Sequence, residues 1–357
     1  MHYVLANLLL CLLLPFRRAR LDLVIAVLVF MAVFTAYYMS GSADYKGYVT
    51  YFLCSQNEFC LKSGELNFER SYALISNFFY TFLFREGASW VIAFYSTVAL
   101  CIKLPLLQRY SRHFGVALLC YAMYAWYVHE MTQIRIGLAI AFYWLAVIRL
   151  TQKRYVGAAV YFAFTLFFHV STILGIVALL LRPLKTSSRR MLTICGLITL
   201  FGVGISDSPA FLGAILSFGF VDPRLATYSD AIGNIVSSTN FLTVYLIASA
   251  TMLVMYALIV PHDEETELER LSFRLGCFGL AYYGFLYWIP TVGLRGFEFF
   301  LCLLPFTAAG IFRSSKGILP KLLVILLCVL TYWNLVIRNG TRTDFILPGQ
   351  AQEQWME

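Results

Sequence analysis

The chain has 357 residues, of which 60% are hydrophobic and 13% charged, with a mean hydropathy of +0.75. Soluble domains of this length carry roughly 25% charged residues, so a soluble protein is excluded. The net charge of +8 does not mark a nucleic-acid binder, because the basic residues sit in short turns between apolar runs.

A β-barrel is excluded too. Its strands would alternate polar and apolar residues, and LDLVIAVLVFMAVFTAYYMS at 21–40 does not. Helices satisfy every backbone polar group within lipid. In chain order the apolar runs predict spans at 3–16, 21–39, 88–107, 115–129, 132–150, 155–168, 170–182, 190–206, 241–260, 271–289, 296–312 and 319–337. The expectation is an all-α, polytopic helical membrane protein of about twelve transmembrane helices in one integral membrane domain, 1–357. The first run is read as a span and not as a signal peptide, because its basic cluster follows the apolar stretch and no small-residue cleavage site appears.

The pair 155–168 and 170–182 is separated on charge. RLTQKRY precedes it and RPLKTSSRR follows it, and placing both basic clusters on one side of the membrane requires a break near His169. Loops at 17–20, 108–113, 149–154, 182–190, 261–274 and 313–321 carry seventeen Lys and Arg, against nine on the opposite side. The positive-inside rule assigns the first set to the cytoplasm. Two longer loops, 40–87 and 207–240, then face outward together with the C-terminus. Within the first, SYALISNFFYTFLF at 71–84 predicts a re-entrant or interfacial helix; AFLGAILSFGF in the second has the same character. DEETELER at 263–270 reads as a solvated cytoplasmic helix end. Nine cysteines form no zinc pattern. Cys54 and Cys60 share the first outward loop, where a disulfide and two free thiols are equally open.

Ionisable residues at membrane depth are costly and mark function by default. Arg135, His169, Arg295, Glu298, Asp44 and Glu69 all fall at or near the outward face on this topology. Each also has a plainer explanation. Arg135 has Glu130 nearby to pair with, Arg295 and Glu298 have the spacing of a salt bridge on one helix face, and His169 suits a cap or a core position. Asp44 and Glu69 lie in polar loops, where acids are ordinary. Lys103 lies inside a span near its cytoplasmic end, from which it can snorkel. Two outward arginines suit phosphate oxygens better than lysines would, and carboxylates with a histidine suit general-base work. Together they point to transfer chemistry on a phosphate-activated substrate. No P-loop, GxSxG, HExxH or paired-aspartate metal motif is present.

Five segments, in order along most of the chain, resemble the EpsG-like branch of the Wzy polysaccharide polymerases. SADYKGYVTYF at 42–52 is similar to that family's Asp-Tyr-x-x-Tyr loop, on Asp44, Tyr45 and Tyr48. NFERSYALISNFF at 67–79 resembles its Glu-x-Gly-Tyr segment, with Glu69 in place but Ser71 where glycine is usual. MTQIRIGLAIAFYWLAVIRLTQKRY at 131–155 resembles its Gln-x-Arg helix, on Gln133 and Arg135. FFHVSTILGI at 167–176 carries Phe-His-x-Ser, with His169 and Ser171, and LRGFEFFLCLLP at 294–305 carries a late arginine, Arg295, with Glu298 following.

The resemblance implies a GT-C-like, metal-independent glycosyltransferase of the bacterial inner membrane, with no cofactor and its active site facing the periplasm. It would join oligosaccharide repeat units carried on undecaprenyl pyrophosphate, for O-antigen or exopolysaccharide. By the same resemblance Arg135 and Arg295 would bind pyrophosphate, and His169 would hold a phosphate or acceptor group. Asp44 or Glu69 would deprotonate the acceptor hydroxyl, and Glu298 would orient Arg295. The implied partners are the lipid-linked oligosaccharide, membrane lipid and a chain-length regulator, with no nucleic acid. A ligase or O-acetyltransferase for the same glycans, and a transporter or flippase, are the competing readings. A transporter would place its ionisable residues near the midplane of several helices.

Overall fold

A computed structural model describes residues 2–41, 44–54, 69–83, 87–206, 239–287 and 290–334, and every regular element among them is helical. Among the described residues five helical stretches are long and apolar enough to cross a membrane: Leu21–Tyr38, Gly87–Tyr110, Ile134–Thr151, Ser188–Ile205 and Val292–Ser314. Shorter apolar helices accompany them. Cys60 and the AFLGAILSFGF segment lie outside the described residues. The chain divides into two compact units, one formed by Met1–Gly175 and one by Ile176–Leu335.

The first unit runs through α1 (His2–Cys11), α2 (Leu21–Tyr38), α3 (Tyr45–Cys54), α4 (Arg70–Leu83) and α5 (Gly87–Tyr110). It continues with α6 (Phe114–Tyr121), α7 (Ile134–Thr151) and α8 (Tyr155–Phe168). Outer faces of α2 and α8 leave Ile25, Val29, Val33, Val160 and Phe164 exposed, as helices bordering lipid do. The interior is formed by α5, α6, α7 and the segment that joins α6 to α7, where Trp126, Trp144, Tyr121 and Tyr143 are buried. The apolar segment expected at 71–84 is α4. It packs on α5 and buries Ser71, Tyr72 and Ser76.

Between α6 and α7 the helix widens into a π-helix over Ala122–Thr132. The Gln133 N–H bonds the Val128 carbonyl five residues back, at 2.7 Å, and Gln133 itself leaves helical geometry with φ −98° and ψ 58°. A π-turn re-aims the side chains that follow it and is common at functional sites. Here it turns His129 and Glu130 inward, both buried, and sets the start of α7 so that Arg135 falls in its first turn.

The turn from α7 to α8 is a Schellman motif. Arg154 N–H bonds the Arg149 carbonyl at 2.9 Å and Lys153 N–H the Leu150 carbonyl at 3.0 Å, the 6→1 and 5→2 pair that closes a helix C-terminus. Lys153 takes the left-handed position with φ 61°. The expected break at His169 is present. Helix α8 ends at Phe168, and His169 is extended, with φ −158° and ψ 112°. A 3-10 helix follows over Val170–Ile176. Its first turn is fixed by Thr172, whose N–H (3.1 Å) and hydroxyl (2.5 Å) both donate to the His169 carbonyl.

The second unit contains α9 (Val177–Leu181), α10 (Ser188–Ser206), α11 (Thr239–Ile259) and α12 (Glu267–Phe285). Then come α13 (Pro290–Phe300), a 3-10 turn at Leu301–Leu303, α14 (Leu304–Ser314) and α15 (Ile318–Tyr332). Helices α10 and α12 meet backbone to backbone through two glycines. A Cβ on Gly202 would lie 2.7 Å from the Gly284 carbonyl carbon, and one on Gly284 would lie 2.6 Å from Thr199 Cα. Small residues at such a crossing permit the approach that packs helices within lipid.

The charge run at 263–270 differs from the solvated end expected of it. Glu269 is 1% exposed and forms a capping box with Thr266, the two reciprocal bonds measuring 3.0 and 3.1 Å. The Glu265 side chain is also buried and binds Arg270 at 3.1 Å. Four orphan N–H groups begin every helix, and this acidic stretch supplies acceptors to them as well as facing water. Arg274, also buried, donates to the carbonyls of Leu181, Arg182 and Thr186 at 3.0, 3.1 and 3.2 Å, so one guanidinium satisfies the chain end that follows α9.

Candidate functional site

Glu69 sits one residue before α4, and its carbonyl receives the Tyr72 N–H at 3.0 Å. Carboxylates are favoured there, because unpaired N–H groups give a helix N-terminus partial positive charge. The Arg135 guanidinium binds one carboxylate oxygen, Oε2. His169 Nδ1 lies 2.5 Å from the other, Oε1. Three segments far apart in sequence therefore meet at one carboxylate: the entry to α4, the first turn of α7 and the break after α8. The three side chains are 12–23% exposed, partly shielded yet reachable from outside. Burial acts to raise the Glu69 pKa, but the His169 hydrogen bond and the Arg135 charge outweigh it and hold the carboxyl below its ordinary value.

Beneath this cluster lies a packed aromatic layer. Tyr72 contacts Tyr48, Tyr51 and Tyr95 at ring-centre distances of 5.6, 5.4 and 5.8 Å. Its hydroxyl donates to the Tyr48 carbonyl at 3.0 Å. Phe168 stacks on Phe142 at 5.3 Å and meets Tyr95 edge-on at 5.8 Å, which fixes the residue next to His169. Arg135 lies 5.8 Å over the Tyr48 ring, a cation–π contact that stays favourable where water is scarce. Burial raises the Tyr48 pKa, so the phenol keeps its proton.

The remaining predicted residues are placed as follows. Asp44 is exposed in the turn before α3, and its carbonyl accepts the Tyr48 N–H at 3.1 Å. Tyr45 is one residue further on, with its hydroxyl 3.1 Å from that of Ser89. Gln133 forms the joint between the π-helix and α7. Ser171 is exposed on the 3-10 turn after His169. In the second unit Arg295 is exposed on α13 and Glu298 is buried. Among the described residues no ion pair joins these two, so the salt bridge allowed by their spacing is not formed. Gly296 lets the Tyr282 ring lie against α13, where a Cβ would be 2.1 Å from Tyr282 Cε1.

Two of the plainer alternatives are not formed. Arg135 does not pair with Glu130, because the π-helical register turns Glu130 toward α5, where it binds Lys103. Lys103 does not snorkel: both side chains of that pair are fully buried. The aromatic layer was not anticipated beyond Tyr48. Tyr48 and Tyr51 stand three apart on α3, a spacing that places both on one helix face and is the one signal the sequence held. Among the described residues no group of three or more His, Cys, Asp or Glu side chains is arranged to hold a metal ion.

No curated protein and no solved structure matches the chain. The EpsG family matches residues 22–350, nearly the whole length, and the matched span contains every residue of the Glu69–Arg135–His169 cluster. The chain belongs to the EpsG family.

Proposed function

We propose that this protein is a polysaccharide polymerase that joins oligosaccharide repeat units carried on undecaprenyl pyrophosphate, at the periplasmic face of the bacterial inner membrane. EpsG membership supports a polymerase-type role. The observation that carries the reading is the meeting of Arg135, Glu69 and His169 at one partly exposed point. A guanidinium fork suits phosphate oxygens. The Glu69 carboxylate pairs with Arg135, and the lipid pyrophosphate takes its place when it binds.

The acceptor hydroxyl oxygen then attacks the anomeric carbon of the donor sugar. The bond from that carbon to the phosphate oxygen breaks, and lipid pyrophosphate leaves. Arg135 stabilises the charge that develops on the leaving oxygen. Glu69, released from Arg135, takes the acceptor's proton, and His169 holds the carboxylate in place. Arg295 carries over from the family resemblance as a second phosphate-binding residue, with Glu298 behind it. Tyr45, Tyr48, Gln133 and Ser171 are assigned to substrate contacts, and Asp44 is the alternative base. Cells carrying Arg135→Ala or Arg295→Ala are expected to cap glycans with single repeat units. Wild-type chain lengths in both would overturn the pyrophosphate assignment.

A transporter reading draws on one observation, the buried Lys103–Glu130 pair inside the helical bundle. A flippase would move lipid-linked units across vesicles without lengthening them, and that result would favour transport over polymerisation.

A further inference from the structure

Lys103 and Glu130 take no part in the reaction proposed above, yet both are fully buried, and the desolvation of two charges is repaid only by close pairing. Their surroundings identify a purpose for the pair. Residue 130 is gripped twice from α5. Lys103 Nζ binds its carboxylate, and the Ser96 hydroxyl donates to its main-chain carbonyl. Ser96 and Lys103 are seven residues apart on α5, two turns along one helix face. The Lys103 ammonium also faces the rings of Tyr121 and Trp144, at 5.6 and 5.8 Å. Further support comes from Trp126, whose indole N–H donates to Thr35 on α2 at 2.9 Å.

The ties to Glu130 and Trp126 hold the π-helical segment, which ends three residues before Arg135. At its far side α7 begins after the single joint residue Gln133. A Cβ on Gly137 would lie 2.3 Å from the His129 carbonyl oxygen, so the first turn of α7 rests directly on residue 129. A displacement of residues 129–130 would therefore be passed to Arg135. The same α5 packs against α3 and α4, the helices that carry Tyr48 and follow Glu69.

We propose that Lys103, Glu130 and Ser96 are positioning residues, which lock the π-helix against α5 and thereby set the guanidinium of Arg135 opposite Glu69. The proposal rests on the polymerase reading only for its functional readout. Ser96→Ala removes one tie and leaves the ion pair, Glu130→Gln removes the charge, and Lys103→Met with Glu130→Met removes both charges without leaving one unpaired. Misplacement of a catalytic group by about 1 Å costs on the order of 100-fold in rate.

Purified variants in lipid nanodiscs would be compared by hydrogen exchange over residues 128–137 and by binding of inorganic pyrophosphate. Each would also be made in an Arg135→Lys background. The expected result is faster exchange in that segment, pyrophosphate binding weakened about tenfold in Glu130→Gln, and little further weakening when Arg135→Lys is added. Two results would overturn the proposal: unchanged exchange over 128–137 in a folded Glu130→Gln protein, or losses that multiply in the double variant. Should Arg135→Lys alone leave pyrophosphate binding and glycan length untouched, the polymerase assignment of Arg135 falls. The exchange measurement then decides the positioning role by itself.

Discussion

Replacing Glu69 with glutamine separates the two roles proposed for its carboxylate. Glu69 accepts charge-assisted hydrogen bonds from both Arg135 and His169. Such a bond contributes about 1.5–3 kcal/mol, against roughly 0.5–1.5 kcal/mol for a neutral one. Glutamine keeps the shape and one acceptor but loses the charge, so the competitor for Arg135 weakens by about 1.4 kcal/mol, a tenfold change in a binding constant. Glu69→Gln should therefore bind inorganic pyrophosphate about tenfold more tightly than the wild type, read by calorimetry on detergent-purified protein. The same variant should lose roughly 100-fold or more in polymerisation rate, the usual contribution of a general base. Tighter binding with slower turnover is the signature. Unchanged or weaker pyrophosphate binding would refute the exchange of carboxylate for substrate at Arg135, and an unchanged rate would reassign the base to Asp44.

Three further outcomes follow from the same structure. Because the Glu69 carboxyl is held below its ordinary pKa, its contribution to stability is complete above the unfolded value and is lost as pH falls through the folded one. Thermal unfolding of the wild type should drop more steeply below about pH 4.3 than that of Glu69→Gln, and parallel curves would contradict the linkage. Gly284→Leu places a side chain where even a Cβ would lie 2.6 Å from Thr199 Cα, so it should destabilise the second unit by roughly 1–3 kcal/mol or more; a wild-type melting temperature would contradict the packing. Single cysteines at Lys46 and Lys185, both exposed, in a background lacking the native cysteines, should react with an impermeant maleimide from opposite sides of the membrane. Labelling from one side would refute the orientation.

Much of the helical layout can be read from apolar runs and basic turns, since both are imposed locally by lipid and by membrane charge. Even the break at His169 follows from the need to keep RLTQKRY and RPLKTSSRR on one side. The site itself is harder to read. Glu69 lies 66 residues from Arg135 and 100 from His169, and no helical period spans such distances. The family resemblance named all three residues without saying that they meet. Proximity in sequence offers Glu130 as a plain partner for Arg135. The π-helix between them breaks the 3.6-residue period on which that pairing depends, and it sends Glu130 to Lys103. The tyrosine layer escaped notice for a related reason: Tyr51, Tyr72 and Tyr95 come from three helices and converge only after those helices pack.

The activity proposed for this EpsG-family chain is the lengthening of lipid-linked glycans by a reaction centred on Arg135. Its most direct test is to supply purified protein in lipid vesicles with synthetic undecaprenyl-pyrophosphate repeat units and to resolve the products by size. The wild type should yield a ladder of lengthening glycans with release of lipid pyrophosphate, and Arg135→Ala should yield none. Substrate returned unextended by the folded wild type, or a full ladder from Arg135→Ala, would contradict the account.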